Sequence, residues 1–312
     1  MWCSRCRGEV AAVALANPKP VYDALFRAAS ATVRAVAANP KRLGAQVGML
    51  MVLHTWGQNL HHHPHVHAVV SGGGLSCNEQ GVVDAEPVWR SCRPGFFLPV
   101  RVLSRVFRGK FLDLLRQAFE DGRLVFPGRL AELADPPFFA AWRRALRAKD
   151  WVVYAKPPFG GPAQVLKYLA RYTHRVAISN RRLLAFTPAG EGSEATVTFR
   201  YKDYADHARS KTMTLSAEEF LRRFVQHVLP DRFMKIRHYG LLASRQREAK
   251  LAACRRLLLG VAVVPVGQAT APESTIEPAP LPHCPHCGSI RLVRRELPVE
   301  HRDSPPSPHN TS

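Results

Sequence analysis

His61-His62-His63-Pro64-His65-Val66-His67-Ala68-Val69-Val70, running into Ser71-Gly72-Gly73-Gly74, is the stretch on which the reading of this chain turns. Five histidines fall within seven residues and an apolar run follows at once. Alternation from His65 to Val70 predicts a half-buried strand. Successive side chains of a strand point to opposite faces, so His65 and His67 share one face and Val66 takes the other. Two imidazoles held side by side on a rigid strand are ready ligands for a divalent metal ion. The same tract also reads as a polar loop that binds metal adventitiously, and the rest of the chain has to decide. Pro64 suits the first residue of a strand, where its missing N–H costs no ladder bond. The glycine triplet predicts a turn that ends the strand.

The segment before it supplies a partner strand. Gly48-Met49-Leu50-Met51-Val52-Leu53-His54-Thr55-Trp56-Gly57 is short, apolar and bounded by glycine, which predicts a buried strand antiparallel to the histidine strand. Upstream, Val21, Leu25, Ala28, Ala29, Thr32, Val33 and Val36 fall at helical spacing from Pro18 to Asn39-Pro40. Downstream, a helix is predicted from Pro99 to Asp121, with Arg101, Arg105, Arg108 and Arg116 off its apolar face. Those arginines suit a solvated face and a DNA-binding face equally. A further helix is predicted from Asp135-Pro136 to Lys149, a strand over Trp151–Ala155, and strands over Arg182–Phe186 and Ala195–Tyr201. Ser216 and Glu219 form a capping box for a helix to Val228, and Leu241–Leu259 reads as a last basic helix.

Lysine and arginine number 44 against 24 acidic residues, a net charge of +20 over 312 residues. Such an excess points to a polyanionic partner, nucleic acid or an anionic membrane surface. No run of ~18 apolar residues offers a transmembrane helix, and no signal-peptide core opens the chain. A cytoplasmic, nucleoid-associated protein is the expectation. Seven cysteines, an odd number, suit a reducing compartment.

A second constellation lies in Gln164-Val165-Leu166-Lys167-Tyr168-Leu169-Ala170-Arg171-Tyr172-Thr173-His174-Arg175. Tyr168 and Tyr172 are four apart, so on a helix both hydroxyls leave one face. Lys167, Arg171, His174 and Arg175 crowd the same turns with positive charge and are candidate DNA contacts. Two aromatic residues on a core face would give the same spacing. A phenol with a pKa of ~10 is a poor nucleophile at neutral pH. It can still attack a phosphodiester when a metal ion polarises the phosphate. The histidine pair and the tyrosine pair therefore explain one another as a nicking and strand-transfer site, because a phosphotyrosine conserves the bond energy needed for rejoining.

These residues resemble a known family. His65-Val66-His67 is similar to the His-hydrophobic-His motif of the HUH endonucleases, and Tyr168 with Tyr172 to the paired tyrosines of their two-tyrosine branch. The nearest likeness is to the rolling-circle transposases of the insertion-sequence-91-like family. Leu53–Gln58, Pro94–Pro99, Trp151–Pro162, Tyr172–Asn180 and Ile236–Leu242 look like blocks of that family. The resemblance implies an α+β fold with a central antiparallel sheet, histidines on a middle strand and tyrosines on a facing helix. It implies Mg²⁺ or Mn²⁺ as cofactor and single-stranded DNA at transposon ends and target as partner. A third polar metal ligand is implied too, with Gln58, His63 and His174 as candidates. Members usually carry an N-terminal zinc-binding domain with several cysteines. Cys3 and Cys6 do not follow that pattern, so the chain is expected to lack that domain. A catalytically inactive DNA-binding remnant of such a transposase is the alternative reading.

The chain is accordingly divided into residues 1–17 as a truncated N-terminal remnant, 18–259 as the catalytic domain, 260–282 as a linker, 283–300 as a zinc-knuckle-like segment and 301–312 as a disordered tail. In the knuckle, Cys284 and Cys287 are candidate ligands for Zn²⁺, with His283, His286, His301 or the Cys3/Cys6 pair available to complete four.

Overall fold

The computed structural model describes residues 2–5, 8–155, 161, 163–166, 170, 177–204 and 206–260. Its main sheet is antiparallel, in the order β5-β1-β3-β2-β9, with β4 added alongside β3. The strands are β1 (Trp2–Arg5), β2 (Ala45–Trp56), β3 (His62–Ser76), β4 (Trp89–Ser91), β5 (Val153–Ala155) and β9 (Ile236–Gly240). The histidine strand β3 is thus an interior strand, paired on one side with β2 and on the other with β1. The expected α+β architecture, an antiparallel sheet with packed helices, is present.

One face of this sheet carries the core. Val66 and Ala68 of β3 join Met49, Met51 and Leu53 of β2 in a single buried cluster. Helices α2 (Pro18–Ala38) and α3 (Val100–Glu120) close it with Val21, Leu25, Phe26, Val33, Leu103, Phe107 and Phe111. The spacings, four, one and seven residues in α2 and four throughout in α3, keep each set on one stripe of its helix, which is why both helices lie flat on the same sheet face. Pro18 and Pro20 open α2, where a missing N–H leaves no bond unmade. Asn17, just ahead of α2, is buried. Its amide donates to the carbonyls of Val13 and Val125, and its oxygen accepts from Val125 N–H at 2.7 Å, tying the helix to the chain beyond α3.

β1 (Trp2–Arg5) lies in the same sheet between β3 and β5, and helix α1 (Gly8–Ala16) joins the same core, with Val10, Val13 and Ala14 fully buried. Helix α4 (Pro136–Ala148) adds Phe139 and Leu146 to the cluster, and Trp151 anchors its end by donating from the indole to the Leu146 carbonyl at 3.0 Å.

A smaller three-stranded sheet, β6 (Leu183–Thr187), β7 (Thr196–Asp203) and β8 (Arg209–Ser216), packs with α5 (Ala217–Val225) around Phe199. Ser216 caps α5, its hydroxyl accepting from Glu219 N–H at 3.2 Å. The Glu219 carboxylate does not reach back as a full capping box would. It pairs instead with Arg222 and Arg223 at 2.5 and 2.6 Å. The last helix, α6 (Arg247–Leu259), is shorter than its basic pattern predicts, because residues 241–246 are taken up by turns after β9.

The glycine triplet corrects the sequence reading. It does not end β3 in a turn: residues 72–74 run inside the strand. A Cβ on Gly74 would stand 2.1 Å from the Gln46 carbonyl oxygen, and one on Gly73 would stand 2.6 Å from that of Arg90. Glycine is there to let the backbones of β2 and β4 close in on β3, next to a register shift between Val47 and Met49. Pro64 likewise is not the first strand residue. It sits where the ladder to β2 shifts register, between the pairs His54–His65 and Trp56–His62, so its missing N–H leaves no ladder bond broken.

Candidate metal centre

Because β2 and β3 are antiparallel, residues directly opposite share a face. His65 stands opposite His54, and His67 opposite Val52. Three imidazoles therefore gather on the face away from the helices: His65 and His67 from one strand and His54 from its neighbour. Each offers a ring nitrogen, and the three nitrogens all lie within 4.8 Å of one another. Ring centroids are 5.4 Å apart for His54 and His65, 4.6 Å for His54 and His67, and 4.9 Å for His65 and His67. Trp56 stacks on His54 at 4.7 Å and 20° between planes, which fixes that ring's orientation.

His65 is 8% exposed. Burial above all, and then the neighbouring His67 and His54, hold its pKa well below the ordinary imidazole value. It is neutral at physiological pH, the state a metal ligand requires. Its Nδ1 lies 2.7 Å from the His63 carbonyl oxygen. A carbonyl only accepts, so Nδ1 carries the proton and donates, leaving the Nε2 lone pair for an ion. A donor set of three imidazole nitrogens at this separation fits a divalent first-row transition ion, and suits the oxygen-preferring Mg²⁺ less well.

His54 was missed by sequence reasoning as a ligand. The signal existed in the register: given a hairpin joining the two predicted strands, the histidine of Leu53-His54-Thr55 falls opposite His65. Of the three candidates for the third ligand, Gln58 is turned to other work, its side-chain oxygen accepting from Lys202 N–H at 3.4 Å and its carbonyl accepting from Arg182. The His63 ring packs against His65 at 5.3 Å between centroids. His174 lies outside the described residues.

Two further histidines, ring centroids 6.3 Å apart, lie together near the start of β3. His62 accepts from the Tyr22 hydroxyl at 2.9 Å and donates from Nδ1 to the Ala11 carbonyl at 3.2 Å. His227 donates from Nε2 to the Leu60 carbonyl at 3.1 Å and accepts from the Thr55 hydroxyl, next to His54 in β2, at 3.2 Å. Burial lowers the pKa of each to about 4. Both are neutral fixtures whose two ring nitrogens are already committed.

Tyr168, Tyr172, Lys167, Arg171, His174 and Arg175 lie outside the described residues, as do Cys6, Cys284 and Cys287; of Cys3 only the backbone is described, opposite His67 in the β1–β3 ladder. The start of the predicted tyrosine helix is described: residues 163–166 are helical. Gly161 and Val165 line a cavity of about 540 Å³ together with Leu50 and Val69. Leu50 and Val69 face each other across β2 and β3, and Val69 is two residues beyond His67, so this cavity opens on the histidine face. Among the described tyrosines, Tyr154 stands in the same cross-strand row as His67, with Cys3 of β1 between them. Two strand spacings, ~10 Å, separate its backbone from that of His67.

No described helix is long and apolar enough to cross a membrane. Residues 48–250 match the family described as "Y2_Tnp: Putative transposase". The chain is 47% identical over 294 residues, 92% of its own length and 70% of the other's, to "Putative transposase y4qJ" of Sinorhizobium fredii (strain NBRC 101917 / NGR234). It is 33% identical over 234 residues to "Transposase for insertion sequence element IS801" of Pseudomonas savastanoi pv. phaseolicola, matching 72% of this chain and spanning half of that protein. No solved structure matches. The matched residues take in nearly all of β2, the whole of β3 and the helix α3, and with them all three histidines: the chain belongs to the Y2_Tnp putative transposase family.

Proposed function

We propose that this chain is the catalytic part of a transposase that nicks single-stranded DNA through a tyrosine and passes the strand on in rolling-circle fashion. The observation that carries the reading is the grouping of His54, His65 and His67 on one sheet face of a protein with a net charge of +20. Lysine and arginine hold the DNA by its phosphates. A divalent ion held by the three imidazoles would polarise the scissile phosphate and stabilise the leaving oxygen.

The nucleophile in this reading is the hydroxyl of Tyr168 or Tyr172. Its oxygen bonds to phosphorus as the P–O3′ bond breaks, and its proton ends, net, on the released 3′-hydroxyl. The product is a 5′-phosphotyrosine. Attack on it by a later 3′-hydroxyl reverses the step and joins strands without a nucleotide cofactor. The helical turn at residues 163–166, whose Val165 lines a cavity on the histidine face, supports a tyrosine helix on that side of the sheet. Lys167, Arg171, His174 and Arg175 would hold the phosphates flanking the cleaved bond.

The test is Mn²⁺-dependent cleavage of a labelled single-stranded oligonucleotide carrying an element end. The parent protein should cleave it. His65→Ala and His67→Ala should not, while both keep most of their single-strand affinity. Undiminished cleavage by either variant removes the metal-site reading. Tight binding with no cleavage by the parent protein under any divalent ion identifies an inactive DNA-binding remnant instead.

A further inference from the structure

The helices that back the sheet carry a strip of guanidinium groups that the nicking chemistry leaves unused. Arg101, Arg105 and Arg108 follow one stripe of α3, and four residues further the same stripe reaches Leu112. Leu112 is the apolar floor of a notch of about 170 Å³ whose walls are Arg143, Arg144 and Arg147 of α4. Two hydrogen bonds weld the helices together at this point. Arg143 Nε donates to the Leu112 carbonyl at 3.1 Å, and Arg108 donates to the Lys149 carbonyl just past α4 at 2.7 Å.

Asp113 and Glu120 both bind Arg116, at 2.8 and 2.5 Å. Burial above all presses the Arg143 pKa down, with Arg116 and Arg147 adding to the push and Asp113 and Glu120 opposing it. Six like charges on a rigid two-helix platform repel one another, and a bound polyanion relieves that repulsion.

We infer that the strip from Arg101 to the α3–α4 notch binds the phosphate backbone of duplex DNA. A duplex suits it better than a single strand. Single-strand platforms stack bases on aromatic rings, and no aromatic side chain lines the notch. Residues 101–112 of a straight helix extend ~16 Å, the axial length of about five base pairs. The platform also lies behind the sheet, because α3 packs on the Val66 face and the histidines occupy the other. The strip would therefore hold a duplex flank or a target duplex while a single strand occupies the histidine face. This inference stands independently of the tyrosine chemistry.

The experiment is a fluorescence-anisotropy titration of the whole chain with a labelled duplex and with the corresponding single strand, over a series of salt concentrations. The variant is Arg144→Glu with Arg147→Glu, two exposed side chains. Duplex affinity should fall at least about tenfold, and the slope of log affinity against log salt should become shallower by about 2, one per lost phosphate contact. Single-strand affinity and Mn²⁺-dependent nicking should stay at the parent level. Unchanged duplex affinity overturns the inference, and so does an equal loss for duplex and single strand, which would mark a diffuse basic surface. If charge reversal lowers the thermal midpoint, Arg144→Gln with Arg147→Gln is judged by the same slope. Parent protein that never nicks still reports on the duplex, so failure of the proposed function and failure of this inference are separable.

Discussion

His54 of β2 and His65 of β3 face each other directly across an antiparallel ladder, ring centroids 5.4 Å apart and planes at 88°. A hairpin register, not a sequence motif, brings His54 beside the His65–His67 pair. His54→Ala should therefore weaken Mn²⁺ binding as His67→Ala does, by at least ~10-fold for loss of a direct ligand. Isothermal titration with Mn²⁺ on each variant checks this. Parent-level affinity in His54→Ala would reduce the site to two histidines.

An all-imidazole donor set ranks the metals. Mn²⁺ should support nicking at lower concentration than Mg²⁺, and chelation followed by Mn²⁺ return should restore it. Equal activation by the two ions would point to oxygen ligands that the three histidines do not supply.

The neutral histidines His62 and His227 make stability fall in acid. The folded-state pKa of His62 and of His227 is about 4, against an ordinary value of 6.5. Between those limits the unfolded chain binds more protons, so stability is complete above pH 6.5 and drains away as pH falls toward 4. The loss is about 3 kcal/mol per histidine at the bottom of the window. Urea unfolding at pH 7 and pH 5 measures it. A midpoint unchanged over that range contradicts the picture of two buried neutral rings.

Gly74 should tolerate nothing larger. A methyl group there would meet the Gln46 carbonyl at 2.1 Å, which is backbone and has nowhere to go. Gly74→Ala should cost roughly 3 kcal/mol as overpacking between β2 and β3, read as a lower urea midpoint. Gly72→Ala meets nothing within 4 Å and should be close to neutral. Equal effects for the two would mean the close approach is not what glycine is for.

The same glycines show where sequence stops being legible. Gly72-Gly73-Gly74 reads as a turn because glycine most often permits one. Only the approach of Gln46 and Arg90 reveals a strand interior. The pairing of His65 with His67 was legible because strand period is local, and the helices at 18–38 and 100–120 because their apolar stripes are long. His54 was not, since one histidine in an apolar run gains meaning only from the opposite strand. Strand β8 was missed for a related reason: Arg209–Ser216 alternates Met213 and Leu215 with threonine and serine, and it gains its apolar neighbour, Phe199, from β7. The arginines of α3 looked equally like a solvated face until α4 placed three more beside Leu112.

The most direct test of the account is the covalent adduct. The protein is incubated with a labelled single-stranded element end and Mn²⁺, denatured, resolved on a gel and mapped by mass spectrometry. Tyr168→Phe and Tyr172→Phe keep the rings and remove only the hydroxyls. Each alone should still form adduct and nick while losing most strand transfer, because moving a strand needs two cleavages. The double variant should form none. Adduct that persists in the double variant, or that maps to Tyr154 in the His67 row of the sheet, would contradict the assignment of the nucleophiles.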